Sequence, residues 1–514
     1  MTGSDIDPRT PILVGCGDVT DLTTPAAQGR SPYDITAQAA RLALADTGAA
    51  ALTDRIDSVA MLRFFADTSH RFDTKLGRST NPPRSVTRRL GIDPAEHIYT
   101  WNGGNMPQYM VNLYAERIAR GELRAAMVFG GEALRTQLGV EREGVAVSWS
   151  EDPGPPPLLV GDPRRGWNDV EDRHNMRAAI SIYPLFENAI RGERGRSVPD
   201  HLTSIARLMA GFSAVAAQNP LASRRELFTA ERLATVDADN RWIGFPYPRF
   251  MNSNAFIDQA AALVMTSAGQ AQELGIARDR WVFLHGCADG HDHWYASERV
   301  NLWSSPTIRA ASRQALAMAG KQLADMRHLD LYSCFASAVQ IGCAEIGLAE
   351  DDPRRLTVTG GLPYFGGPGN NYVTHSISEM VRRVRADPGS FGMVTANGNY
   401  VTKHSFGIYS TTPVAGQWQR EDPARLQAEL DALPKAPFVE RAEGAACIET
   451  YTVMHGRHGP EYGLVLGRLE QSGARFVANT PADEATLLKL RDQESLGRPG
   501  VVRPDGDRNI FTPA

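Results

Sequence analysis

The 514-residue sequence predicts a layered α/β body made of two similar halves, followed by a small β-rich domain. Three observations carry that expectation. Apolar β-rich runs alternate with Ala-rich helical stretches, the pattern of a sheet covered by helices on both faces. The succession of strand, Ala-rich helix, strand, glycine turn and buried helix occurs twice, which points to an internal duplication and an α-β-α-β-α body. Beyond residue 420 the apolar period shortens to two. A chain of this length exceeds what one core fills, so several packed units are expected.

The first half spans residues 1–275. PILVGCGDVTD is a buried strand, and DITAQAARLALADTG is an Ala-rich helix closed by Gly48. IDSVAMLRFF is a second β-rich run. EHIYTW leads through Gly103 and Gly104 into PQYMVNLYAERIARGEL, where Met110, Leu113, Tyr114 and Ile118 recur at helical spacing, and AAMVFGGEAL is the next strand. From about 135 to 245, turn-rich EDPGPPPLLV and DPRRGWND precede polar helical stretches, DHLTSIARLMAGFSAVAAQNP and RRELFTAERLATVDADN. Long insertions of this kind line binding sites. FIDQAAALVMTS resumes the layered pattern. The second half, 276–415, holds SPTIRAASRQALAMAG (helix), HLDLYSCF (strand), ASAVQIGCAEIGL (helix), RLTVTGG (strand), NNYVTHSISEMVRRVRADPG (helix) and the strand pair SFGMVTANGNYVTKHSFGIYST. In residues 420–514, ACIETYTVMHG, YGLVLGRLEQSG and ARFVANT alternate apolar and polar positions, as half-buried antiparallel strands of a small OB-like barrel do.

Composition excludes several functions. No apolar run approaches the ~20 residues of a membrane span, and MTGSDIDPRT lacks the basic and apolar regions of a signal peptide, so a cytoplasmic location is expected. The net charge is −5, and residues 421–514 hold 11 Lys and Arg against 15 Asp and Glu, which disfavours nucleic acid as a partner. Five scattered cysteines form no CxxC pair and suit reduced thiols. His285, His291 and His293, with Asp289 and Asp292, match no standard zinc spacing; no metal is expected. The run GGLPYFGGPGNN lacks the Lys-Ser or Lys-Thr of a phosphate loop, and no GxGxxG opens a helix near the N-terminus.

YTWNGGNMPQYMVN, residues 99–112, has the form of a nucleophile turn without Ser, Cys or Lys in it. The run WNGGN…PQYMVNLYAERIARGEL…MVFGGEAL resembles the thiolase nucleophile strand-turn-helix; IDQAAALVMTS resembles the thiolase Asn-Asp-Gly-Ala-Ala-Ala strand. DLYSCFASAVQIGCAEIGL resembles the His-Asp-Cys-Phe helix start of the sterol-carrier-protein thiolase branch, and TGGLPYFGGPGNN the Gly-Gly-x-x-x-x-Gly-His-Pro motif. Pattern and spacing most resemble the thiolase-like protein type 1 group, which carries a small additional C-terminal domain. The resemblance implies a thiolase-like fold, coenzyme A or an acyl-CoA thioester as ligand or substrate, no further cofactor, and acetyl-CoA acetyltransferase-like activity in lipid metabolism.

It also places replacements at the family's reactive positions: Gly104 for the acyl-accepting cysteine, Tyr332 for the Asn or His that orders the oxyanion water, Gly367 for the His of Gly-His-Pro, and Ala396 or Asn397 for the second cysteine. A thiolate, a base and oxyanion donors are what that chemistry requires. Backbone N–H groups at Gly103, Gly104 and Asn105 open a helix and suit a thioester carbonyl or a phosphate, or the glycines only permit a tight turn. Cys334, at a helix start that lowers a thiol pKa, is the candidate nucleophile, and His404 the candidate base. Asn397 and Asn399 are candidate donors to a thioester oxygen. Two readings remain: acyl transfer or thioester hydrolysis without the thiolase cysteine pair, or a non-catalytic acyl-CoA-binding scaffold whose acidic C-terminal domain docks a protein partner.

Overall fold

Strand β1 (Pro11–Asp21) is apolar on both faces because each face meets a separate core, Ile12 and Val14 one and Leu13 and Cys16 the other. A computed structural model describes residues 6–68 and 70–514. In the first half β1 is followed by β2 (Ile56–Met61), β3 (Glu96–Thr100), β4 (Ala125–Ala133) and β5 (Leu158–Val160). Then come the short β6 (Trp242–Gly244) and β7 (Tyr247–Pro248) and the long β8 (Asp258–Ser267). The second half contributes β9 (Val282–His291), β10 (Met326–Asp330), β11 (Phe391–Gly398) and β12 (Lys403–Ser410).

All of these but β6 and β7 form one ten-stranded sheet in the order β10-β11-β12-β9-β1-β8-β4-β2-β3-β5, in which β9 and β1 touch only through Ile12–Phe283 and Leu13–Val282. On either side of that seam the order repeats: β1-β8-β4-β2 mirrors β9-β12-β11-β10, as the duplicated pattern in the sequence predicts. The helices Met106–Ala119 and Tyr372–Ala386 supply Met110, Val111, Tyr114, Val373, Ile377 and Val381 to one core shared by the two halves. RLTVTGG departs from expectation. It is no strand, because the Asp330 carboxylate gathers Thr357 Oγ1 (2.8 Å) and the Val358 N–H (2.9 Å) into a turn, leaving one ladder-like bond from Leu331 N–H to the Leu356 carbonyl (2.8 Å).

The inserted region folds around the helices Ala179–Glu193 and Val198–Gln218, and RRELFTAERLATVDADN forms helix only over Ala230–Ala234. Its β5 caps the β3 edge of the body sheet, while β6 and β7 extend the sheet of the C-terminal domain. That domain comprises β13 (Gly444–His455), β14 (Pro460–Leu469), β15 (Arg475–Asn479), β16 (Pro499–Asp505) and β17 (Arg508–Pro513). The order β13-β14-β15-β17-β16 closes on itself through β16 and β14 both pairing with β13. With β15 and β17 parallel and the helix Glu484–Asp492 between β15 and β16, this is the OB topology. No helix among the described residues is long and apolar enough to cross a membrane.

Candidate functional site

The C-terminal ends of β3, β10 and β11 lead into turns that meet between the two halves, the place where a layered α/β sheet collects ligand-binding groups. Gly104 sits at the centre. A Cβ built on it would overlap the Tyr332 hydroxyl and lie 2.6 Å from the Asn397 carbonyl oxygen and 2.9 Å from Tyr332 Cζ. The space of a nucleophile side chain is therefore filled by a tyrosine from the other half. Burial raises the Tyr332 phenol well above its usual range, so it stays neutral, and its ring packs edge-on against Tyr372 at 5.8 Å.

Gly103 has φ 152°, and its N–H donates to Asn370 Oδ1 (2.9 Å), whose amide in turn donates to the Arg63 carbonyl (2.7 Å). The expected exposed N–H at this glycine is thus committed within the protein. At Gly367, in place of the family's histidine, the N–H donates to the Asn254 carbonyl (2.8 Å) and the Cβ position faces Leu362 at 3.3 Å.

Cys334 reverses its sequence-based expectation. It precedes the helix Ala336–Ile346, for which Phe335 is the N-cap, and burial pushes its thiol up to about 12 rather than down. His404 lies on β12 opposite Asn397 and 3.5 Å from Asp292. Burial alone would raise Asp292; the opposing pull of Arg299 and His404 outweighs it and holds the carboxyl at about 2.

The turn after β11 is strained. Asn399 and Val401 have φ of 56° and 54°, and a β-branched residue there costs about 1–3 kcal/mol. Arg299 secures it by donating to the Val401 carbonyl and, at 3.2 Å, to Thr402 Oγ1. Buried polar atoms around this turn that have no hydrogen-bond partner include Asn105 Oδ1, Asn397 Oδ1 and Asn399 Nδ2. Native interiors rarely leave such groups unpaired without a water or ligand. Tyr332, Asn397 and His404 border a cavity of about 20 Å³, room for one water.

Two side chains that sequence reasoning missed complete the site. Tyr183, on the inserted helix Ala179–Glu193, accepts from Asn397 Nδ2 (3.1 Å), donates to the Asn399 carbonyl (3.2 Å) and stacks on Phe335 at 4.6 Å. Lys403 donates to the Asn102 carbonyl, and burial lowers its ammonium to about 8. Strand alternation was the available signal for Lys403, since it must face away from its neighbour His404; Tyr183 lay in an apolar helical run without any chemical pattern.

The histidines first weighed as metal ligands bond elsewhere, His285 to the Thr412 carbonyl and His293 to those of Leu433 and Pro434. Among the described residues no three His, Cys, Asp or Glu side chains are grouped to hold a metal.

Glu132, at the end of β4, accepts from the Phe65 N–H (2.7 Å) and fills the space where a Cβ on Gly369 would stand; burial raises its carboxyl to about 8. Between pH 4.5 and 8 the unfolded chain releases this proton while the folded chain keeps it, so stability falls as pH rises. Glu132→Gln is expected to remove that slope, about 1.4 kcal/mol per pH unit at most. Urea unfolding of both proteins at pH 5 and 8 checks it, and a variant-minus-parent difference that does not change with pH would sink the assignment.

The duplicated sheet with its paired central helices and glycine turns defines a thiolase-fold protein. Residues 425–507 match the family described as the thiolase-like protein type 1 additional C-terminal domain. A monomeric SCP2-thiolase-like protein type 1 from Mycobacterium smegmatis is 38% identical, with 99% of this chain and 100% of that one covered at a TM-score of 0.84. The chain belongs to the thiolase-like protein type 1 family. An Ltp2–ChsH2(DUF35) aldolase shares the fold at 20% identity and TM-score 0.57, over 78% of this chain and 98% of that one. The 3-ketoacyl-CoA thiolase of Citrobacter koseri is 27% identical over 165 residues, 28% of this chain, and the match spans about a third (35%) of that relative.

Proposed function

We propose that the chain binds a coenzyme A thioester at the turn cluster around Gly104 and does not carry out thiolase condensation. The observation that carries this reading is the set of unpartnered polar atoms on Asn105, Asn397 and Asn399 around a turn held in strain by Arg299. Asn399 Nδ2 is a donor suited to a thioester oxygen, and the 3-ketoacyl-CoA thiolase among the relatives makes an acyl-CoA the natural ligand class.

Arg224 supports the same reading. Its backbone N–H donates to the Tyr364 carbonyl (2.9 Å), tying it to the glycine-rich turn, and its half-buried guanidinium packs over Phe228 and Phe250 at 5.7 and 5.4 Å. No carboxylate among the described residues lies within ion-pair distance of it, and a coenzyme A phosphate suits such a cation.

The neutral Cys334 thiol and the filled Gly104 position remove both sulfur nucleophiles from play, which favours the binding reading over acyl transfer. Isothermal titration with coenzyme A, acetyl-CoA and a longer acyl-CoA tests it. Binding is expected, weakened about tenfold by Arg224→Ala, with no thiol release from the thioesters. Absence of binding by all three overturns the ligand class; thiol release by the parent chain overturns the non-catalytic part, and its loss in Cys334→Ala would assign the release to that thiol.

A further inference from the structure

The 54 cationic side chains of this chain include only five lysines, Lys75, Lys321, Lys403, Lys435 and Lys489, and one of them stands at the nucleophile turn. Lys403 enters from β12 with its stem threaded between two glycines. A Cβ on Gly103 would lie 2.8 Å from Lys403 Nζ and 3.0 Å from Cε, and one on Gly398 would lie 3.1 Å from Cε. Neither turn admits a side chain while the lysine is there. At Gly104 the nucleophile's space is taken by a neutral phenol, and at Gly103 by an amine.

The surroundings of that amine are unlike those of a structural lysine. No carboxylate among the described residues is within ion-pair distance of Nζ. The anion that influences it most, Asp162, is engaged by Arg164 at 2.7 Å. The Trp294 ring lies 5.5 Å from Nζ, the Asn102 carbonyl accepts from it, and the unpartnered Asn105 Oδ1 occupies the same glycine-lined space. Lys403 is 6% exposed. Loss of solvation favours the neutral amine, so a nucleophilic fraction is present near neutral pH.

We infer that Lys403 is a covalent capture site for a ketone carbonyl carried on the bound ligand, a β-keto acyl thioester, which it holds as an imine. The amine nitrogen adds to the ketone carbon while the carbonyl oxygen takes up a proton. The resulting carbinolamine then loses its hydroxyl as water, so ketone and amine give imine and one water with no oxidant or reductant. Asn105 Oδ1 is the acceptor available to the N–H of the carbinolamine and of the protonated imine. The choice of a thioester-borne ketone rests on the coenzyme A reading above; the reactivity of Lys403 does not.

The experiment separates the two. The full-length protein is treated with sodium cyanoborohydride and either acetoacetyl-CoA or ethyl acetoacetate, and the reduced adduct is mapped by peptide mass spectrometry, with calorimetry reporting acetoacetyl-CoA binding. A single adduct on Lys403, at least tenfold above the other four lysines and absent in Lys403→Arg, is the expected result with both probes. Bound acetoacetyl-CoA with an unmodified Lys403, or labelling spread evenly over the five lysines, overturns the lysine assignment. Labelling of Lys403 by ethyl acetoacetate without acetoacetyl-CoA binding supports the assignment and overturns the thioester reading; neither labelling nor binding overturns both.

Discussion

Gly104→Cys, the substitution that restores a thiolase-like residue at the nucleophile turn, is expected to destabilise the chain by about 3 kcal/mol and to produce no condensation activity. The new Cβ overlaps the Tyr332 hydroxyl and lies 2.6 Å from a backbone carbonyl, that of Asn397. Overpacking of this order typically costs about 1–3 kcal/mol, and backbone contacts sit at the upper end because they relax least. Tyr332 has nowhere easy to go: its ring abuts Tyr372, which is fully buried. Tyr332→Asn in the same chain is expected to recover about half of the loss, because the hydroxyl clash disappears and the Asn397 carbonyl remains. Urea unfolding and thiol titration with an aromatic disulfide check both variants. If Gly104→Cys is as stable as the parent, Tyr332 moves freely and the site is open rather than filled.

This exchange between positions 104 and 332 shows where sequence reading reached its limit. Both replacements were legible separately, since the motif spacing put each residue at a reactive position of the thiolase pattern. That one fills the space of the other depends on a contact between residues 228 positions apart, which no local pattern encodes. The duplicated sheet was legible because strand and helix periods are local and occur twice in the same order. RLTVTGG misled for the opposite reason: its β-branched residues suit a strand, but Asp330 captures Thr357 and the Val358 N–H first. Cys334 was read from its helix start, whereas burial decides its pKa. Tyr183 and Lys403 carry no motif, and only the folded arrangement brings them to Asn397 and Asn102.

Arg475→Met is expected to cost about 3 kcal/mol and to loosen a turn in the other domain. Arg475, on β15 of the barrel and 0% exposed, donates to the carbonyls of Ser297 (3.1 Å), Arg299 and Val300 (3.1 Å) in the body, and to Glu449 within the barrel. Methionine fills much of the stem volume but leaves those carbonyls without their charged donor, each an unsatisfied group of about 1–3 kcal/mol before relaxation. Glu449 keeps Arg468 at 3.1 Å, so its own charge is not stranded and the total stays below the simple sum. The segment held by Arg475 includes Arg299, which anchors the Val401 carbonyl and Thr402 Oγ1 beside His404. The barrel therefore braces the strained turn of the candidate site through two arginines in series. Hydrogen exchange distinguishes this from ordinary loss of domain packing: faster exchange at residues 399–402 is expected in Arg475→Met but not in Arg468→Met, which removes the other partner of Glu449 and touches none of the body carbonyls. Exchange that quickens only within the barrel would leave the additional domain as a passenger, and the strained turn would then owe its geometry to Arg299 alone.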